Sequence, residues 1–226
     1  MVVERVYGGR SAEQRRAARW EQLLAAGRER FADDGWADAT VAGICRTAGV
    51  SPRYFYEHVD DREALFLAVV ERIADEVEQV VRVAAANDGA DPVQRARLVL
   101  EGVAAYFAAD PRAIRVALIE SLATRAFRAR RRQLLAGFAE LGTRLMGALR
   151  ERDDADGSLP AAAGFSPGAH HAGLSPGAHH AGMLLTGGLV ELLIAWATEE
   201  AGPPSSISPG EAVDDLVVLA TAVARL

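Results

Sequence analysis

Apolar side chains recur every three or four residues along most of this chain, and alternating runs of β-branched residues are missing. From Arg15 to Ala32 they fall at Ala17, Trp20, Leu23, Leu24, Gly27 and Phe31, one face of a helix that Asp33-Asp34-Gly35 ends. A short helix is predicted from Thr40 to Gly49, and another of about two turns opens at Ser51-Pro52. A long amphipathic helix runs from Asp61 to Ala86, with Leu65, Val69, Ile73, Val77 and Val80 on one stripe, and Asn87-Asp88-Gly89 closes it. Further helices are expected over Val93–Ala108, from Asp110-Pro111 through Leu122, and over Phe127–Arg150. After a Gly/Pro/Ala/His-rich connector, Asp153 to Leu174, an apolar helix spans Met183–Thr198. Pro203 to Pro209 is a loop, and Glu211–Leu226 is a last amphipathic helix. About nine helices and no strand make the fold class all-α, with a domain division expected between residues 1–62 and 63–226.

The segment T-V-A-G-I-C-R-T-A-G-V-S-P-R-Y-F-Y-E-H, residues 40–58, carries the densest local signals. Thr40 can accept the free N–H groups of the first turn that follows it. Gly49 supplies a left-handed stop, and Ser51 caps the next helix with Pro52 at its first position. Two short helices across a turn of three or four residues containing Gly form a helix-turn-helix, whose second member enters the major groove of DNA. That second helix reads Arg53, Tyr54, Phe55, Tyr56, Glu57, His58, rich in hydrogen-bonding groups for an element of its size.

Composition narrows the chemistry. The 226 residues include 25 basic ones, all arginine, so no lysine is present for a phosphate-binding loop, a Schiff base or a kinase strand. The single cysteine, Cys45, excludes an intrachain disulfide and any zinc site with two cysteines of one chain, and implies a reducing compartment. No stretch reads as a signal peptide, and a cytoplasmic protein is expected. The net charge of −6 opposes simple coating of nucleic acid, yet residues 1–32 carry seven Arg against four acids. A basic end on an acidic body suits a protein that meets an anion with one end.

The stretch over residues 15–70 resembles the DNA-binding domain of the tetracycline-repressor (TetR) family. The likeness rests on the Thr-capped helix, the turn Ala48-Gly49-Val50-Ser51, the aromatic helix with Tyr56 and His58, and Arg62 and Leu65 opening the next helix. The resemblance implies a two-domain helical homodimer that binds operator DNA through its N-terminal domain and a small molecule through its C-terminal bundle. It implies DNA contacts from Thr40, Ser51, Arg53, Tyr54, Tyr56, His58 and Arg62. Thr40, Tyr56, His58 and Arg62 would hold phosphates, and Arg53 and Tyr54 would approach base edges. Arg53 and Tyr54 replace the small residue and Thr frequent in the family, so the operator cannot be inferred from relatives. Glu57, Asp60 and Asp61 bring acid close to the DNA surface and should weaken non-specific binding.

The helix 183–198 is too short for a membrane span, which needs about 20 apolar residues. Being apolar all round, it needs a second partner besides its own core, and another copy of itself is the expected one. Leu185, Leu189, Leu192, Leu193 and Trp196, with Leu216, Ala220 and Val223 of the last helix, are the expected dimer contacts. Tyr106, Leu118, Leu122, Phe138, Leu141 and Leu184 are expected to line an apolar effector pocket.

Two further motifs are weighed. Gly164–Gly168 and Gly173–Gly177 both spell G-x-S-x-G, but proline follows each Ser and cannot donate an N–H to an oxyanion, so no hydrolase is read here. With no assembled nucleophile, base and orienting group, no enzyme is expected, and no cofactor. The octapeptide S-P-G-A-H-H-A-G occurs at 166–173 and again at 175–182 and holds His170, His171, His179 and His180. A metal-responsive sensor or protein-interaction module built on 166–182 is the alternative function. Duplication of a loop accounts for the identical copies more simply, and no metal site is assigned. The function expected is a ligand-responsive transcriptional regulator, a repressor, binding a pseudo-palindromic operator as a homodimer and released by a small apolar effector.

Overall fold

The computed structural model describes residues 11–87, 89–151, 176–198 and 209–224. Ten α-helices occur there: α1 (Ala12–Asp33), α2 (Gly35–Asp38), α3 (Val41–Ala48), α4 (Pro52–Tyr56), α5 (Arg62–Ala85), α6 (Pro92–Ala109), α7 (Pro111–Ile114), α8 (Arg125–Glu151), α9 (Pro176–Ala197) and α10 (Pro209–Ala224). No strand occurs among the described residues, as the all-α reading requires. The chain divides into two compact units, Met1–Arg72 and Ile73–Leu226.

The first unit is built by α1 to α4 and the first turns of α5. Leu23 and Phe31 of α1, Ile44 of α3, Phe55 of α4, and Leu65 and Phe66 of α5 are all sealed from solvent. Phe31, Trp36 and Phe66 form an aromatic cluster, Phe66 meeting Phe31 edge-on at 5.1 Å and Trp36 edge-on at 5.5 Å. The division between units falls ten residues beyond the expected one because α5 contributes these side chains to the first core. Arg72 of α5 also pairs with Glu21 of α1.

The short α2 was not expected. It occupies the stretch read as a break after Gly35 and sets Trp36 beside Phe31 at 5.9 Å. At the far end of α1, Ser11 and Gln14 form a capping box, each side chain bonded to the other's backbone N–H.

In the second unit, Asp91 caps α6 by accepting from the amides of Val93 and Gln94, with Pro92 at the first position. α6 packs on α10, where Ala104 meets Val213 and Val217, with Leu100 and Trp196 against them. The single helix expected from Pro111 through Leu122 is instead α7, a π-helical stretch Arg115–Ile119 and a 3-10 turn Glu120–Leu122. The wider π turn keeps Ile114, Val116 and Leu118 buried while Arg115 stays outside.

α9 opens at Pro176, where Ser175-Pro176 offers a start signal two turns ahead of the apolar run at Met183, so residues 176–182 of the second octapeptide copy are helical. Within it Gly182 packs tightly on α8: a Cβ there would lie 2.3 Å from both the Ala139 carbonyl oxygen and Thr143 Oγ1. Only glycine permits this approach, and Thr143, wholly buried, turns its hydroxyl onto the Ala139 carbonyl at 2.8 Å. The connector 153–174, the first octapeptide copy with His170 and His171, and both G-x-S-x-G serines lie outside the described residues. So do the side chains of His179, His180, Ala220 and Val223. Among the described residues, no helix is long and apolar enough to cross a membrane.

Candidate nucleic-acid interface

Local chemistry sets the α3–α4 geometry. Thr40 Oγ1 accepts from the Gly43 amide at 3.1 Å and starts α3. Gly49, at φ 66°, ends it in the left-handed conformation, and the Val50 amide returns to the Cys45 carbonyl at 3.0 Å. Ser51 Oγ then accepts from the Tyr54 amide at 3.2 Å, with Pro52 first in α4. Each capping hydroxyl spends a lone pair on the backbone, so its own proton remains for an outside acceptor such as a phosphate.

α4 is seated by Phe55, which is 0 % exposed, and by Val59 just beyond it. That seating turns Arg53 and Tyr56 outward: the Arg53 side chain is 89 % exposed and Tyr56 is 60 % exposed. Arg53 Nε donates to Glu57 Oε1 at 2.9 Å, one helical turn on. The sequence places this carboxylate near the DNA surface, and the i,i+4 spacing is the signal for its bond to Arg53.

Tyr54 departs from its expected place at base edges. It is 7 % exposed, and its hydroxyl donates to the Arg16 carbonyl of α1 at 3.1 Å. The guanidinium of Arg19 lies 4.7 Å above its ring, and the His58 ring stacks on it at 4.1 Å. His58 Nδ1 lies 2.9 Å from the Tyr54 carbonyl, which can only accept, so Nδ1 carries the proton and donates. Tyr54 thus ties α4 to α1, and Arg19, the last residue of the basic segment Arg5 to Arg19 expected to support DNA binding, lies against its ring.

Arg62 also departs from its expected role on phosphate. Half-buried, it donates through Nη1 to the Ala39 carbonyl and sits 4.1 Å over the Trp36 ring. The charge is engaged in joining α5 to the segment before α3. The structure therefore brings Thr40, Ser51, Arg53 and Tyr56 to an exposed surface, leaves His58 half-buried beside it, and draws Tyr54 and Arg62 into the fold.

The residues assigned to the second unit divide too. Leu118 is buried, Phe138 and Leu141 are half-buried, and Tyr106 gives its hydroxyl to Glu76 of α5. Leu122 and Leu184, at 46 % and 68 % exposed, face outward, so the six do not form one buried lining. Of the expected dimer contacts, Leu193 and Leu216 are buried within the protomer's own core, and Leu185, Leu189, Leu192 and Trp196 are half-buried. Among the described residues, the large apolar side chains left outside on these helices are Met183 and Leu184 on α9 and Val218 and Leu219 on α10. No group of three or more His, Cys, Asp or Glu able to hold a metal occurs among the described residues.

A family model described as "Bacterial regulatory proteins, tetR family" matches residues 23–69, the segment from the middle of α1 into α5. Over those residues the chain is similar to that family. The HTH-type transcriptional regulator BetI of Stenotrophomonas maltophilia (strain R551-3) is 33 % identical to this chain over 84 residues. That match covers 37 % of this chain, which thereby spans less than half, 43 %, of its relative. The fold is shared with the fatty acid degradation regulator FadR from Bacillus halodurans, at a TM-score of 0.70 and 16 % identity over 89 % of this chain and 97 % of that one. It is shared too with FadR from Bacillus subtilis in complex with stearoyl-CoA, at a TM-score of 0.63 and 17 % identity over 92 % and 96 % of the two chains. A putative transcriptional regulator from Pseudomonas aeruginosa PAO1 scores 0.68 at 18 % identity over 96 % and 93 %. The TetR-family match thus coincides with the capped, exposed α3–α4 unit, whereas the remaining likeness is one of architecture.

Proposed function

We propose that this protein is a ligand-responsive transcriptional regulator that binds a pseudo-palindromic DNA operator as a homodimer and acts as a repressor. One observation carries the reading. α4 is held from behind by Phe55 and Tyr54 while Arg53 and Tyr56 project outward, on a helix framed by two hydroxyl caps. An arginine fork on an exposed recognition helix suits guanine O6 and N7, and the neighbouring hydroxyls suit phosphates. Two copies would present two such helices to half-sites about one helical turn of DNA apart. Selection of bound sequences from a random duplex pool tests this; a regulator enriches one twofold-related motif, and enrichment of none overturns the reading.

The effector is a small, largely apolar molecule carrying an anionic end, and it acts by shifting the population toward a state that releases DNA. Support comes from Arg131 on α8. Its Nε is sealed without a hydrogen-bond partner, and burial pulls its pKa below the usual arginine range, partly offset by the charge of Glu191 on α9. A guanidinium with a sealed, unpartnered Nε favours an anion. An acyl-CoA fits that chemistry, and stearoyl-CoA is the ligand named for the Bacillus subtilis neighbour of the same fold. Titration of the DNA complex with stearoyl-CoA, with and without Arg131→Gln, is the measurement. Release by the ligand that weakens in the variant supports the assignment, and indifference of the wild-type complex overturns it.

A further inference from the structure

We propose that Glu57 is a positioning residue for Arg53, fixing which edge of the guanidinium reads DNA and making guanine selection depend on the pair. The inference deepens the DNA-binding reading above and rests on it. Arg53 on α4 and Glu57 at its C-cap are both exposed, and Arg53 Nε donates to Glu57 Oε1 at 2.9 Å. A guanidinium can meet a base through its side edge, Nε with one Nη, or through its end, Nη1 with Nη2. Glu57 occupies Nε, so the side edge is closed and the terminal pair is presented. That end-on fork spans guanine O6 and N7 in the bidentate arrangement that separates guanine from the other bases.

The carboxylate has a second consequence. An isolated arginine at a protein tip binds any phosphate, which raises affinity for all sequences alike. Glu57 cancels the charge of the tip and repels phosphate, so Arg53 gains little on random DNA. Only a site offering paired acceptors to the terminal nitrogens rewards it, and the operator is favoured by penalising everything else. The helix that carries the pair is anchored to α1, because Tyr54, stacked on His58, donates to the Arg16 carbonyl. The two functions of Glu57 are separable: hydrogen-bond acceptance orients the fork, and negative charge suppresses random binding.

Two variants separate them in the full chain. Glu57→Gln keeps an acceptor for Nε and loses the charge, whereas Glu57→Ala loses both. Binding to the selected operator, to operators with the guanine replaced, and to random duplex is measured across a salt series. Glu57→Gln is expected to keep the guanine preference, bind random duplex several-fold more tightly, and steepen the log–log salt dependence by about one. Glu57→Ala is expected to lose about tenfold in guanine preference, a size set by the discrimination of one bidentate pair. In an Arg53→Ala background, Glu57→Ala should leave the base profile unchanged, an outcome that mere damage to α4 does not give. A wild-type chain that selects no sequence overturns the DNA-binding reading and this one with it. A selected site without guanine under α4, or a Glu57→Ala variant with wild-type base preference, overturns the pairing alone.

Discussion

The hydroxyl of Tyr54 donates to the backbone carbonyl of Arg16 over 3.1 Å, joining α4 to α1 across 38 residues of chain. A tyrosine read as a DNA contact is instead the post on which the exposed helix stands. Tyr54→Phe keeps the ring stack with His58 and removes this bond alone. It is expected to cost about 1 kcal/mol of stability in denaturant unfolding. It should weaken binding to operator and random DNA in the same proportion. A change of base preference would return Tyr54 to the reading face.

Arg62 makes the opposite case for a charge. With Nη1 on the Ala39 carbonyl and the guanidinium over Trp36, it holds the start of α5 to α2. Arg62→Gln is expected to lower stability by about 1–2 kcal/mol through the lost stacking and hydrogen bond. The salt slope of DNA binding should move by well under one. A slope falling by a full unit with unfolding unchanged would place Arg62 on phosphate instead.

The ion pair of Glu21 with Arg72 gives a pH dependence of known sign. The Arg72 hydrogen bond holds the Glu21 carboxyl below its ordinary value of 4.5, outweighing a small desolvation that acts the other way. A carboxyl depressed in the folded state adds stability above its unfolded pKa and loses it as pH falls through the folded one. Both partners are substantially exposed, so the contribution is small, under about 1 kcal/mol. Glu21→Gln should therefore cost that much at pH 7 and nothing once pH is well below the folded value. Unfolding curves at the two pH values check it, and an equal cost at both removes the linkage.

Gly182 sets the spacing of α8 and α9. An added Cβ would meet backbone and hydroxyl oxygen at 2.3 Å, neither of which is a flexible side-chain end. Gly182→Ala is expected to destabilise the second unit by about 1–3 kcal/mol, the range for overpacked interiors. Hydrogen exchange should show the loss in α8 and α9 while the amides of α1 and α3 keep their protection. Uniform loss in both units would contradict a local cause.

Dimerisation is expected to use the apolar side chains left outside on α9 and α10. Leu184 and Val218 are each 68 % exposed, so changing both to Glu removes little from the protomer's own core. Sedimentation should give about twice the chain mass for the wild type and a single chain mass for Leu184→Glu/Val218→Glu, with helix content retained. A dimeric double variant would move the interface elsewhere.

What the sequence determined by itself was whatever nearest neighbours along the chain decide. Thr40, Gly49 and Ser51-Pro52 punctuate α3 and α4 through bonds spanning three to five residues, and the stripe Leu65-Val69-Ile73 follows from helical geometry alone. Periodicity could not assign faces to α9, whose apolar residues surround the axis; which of Leu184 and Leu193 lies inside is settled by α8 and α10. Nor could composition tell that the hydrogen-bonding groups of Tyr54 and Arg62 are spent indoors. Their partners, the carbonyls of Arg16 and Ala39, stand 38 and 23 residues away and bear no side-chain signature. Every residue supplies a carbonyl, so only the folded path of the chain selects the one that a given side chain meets.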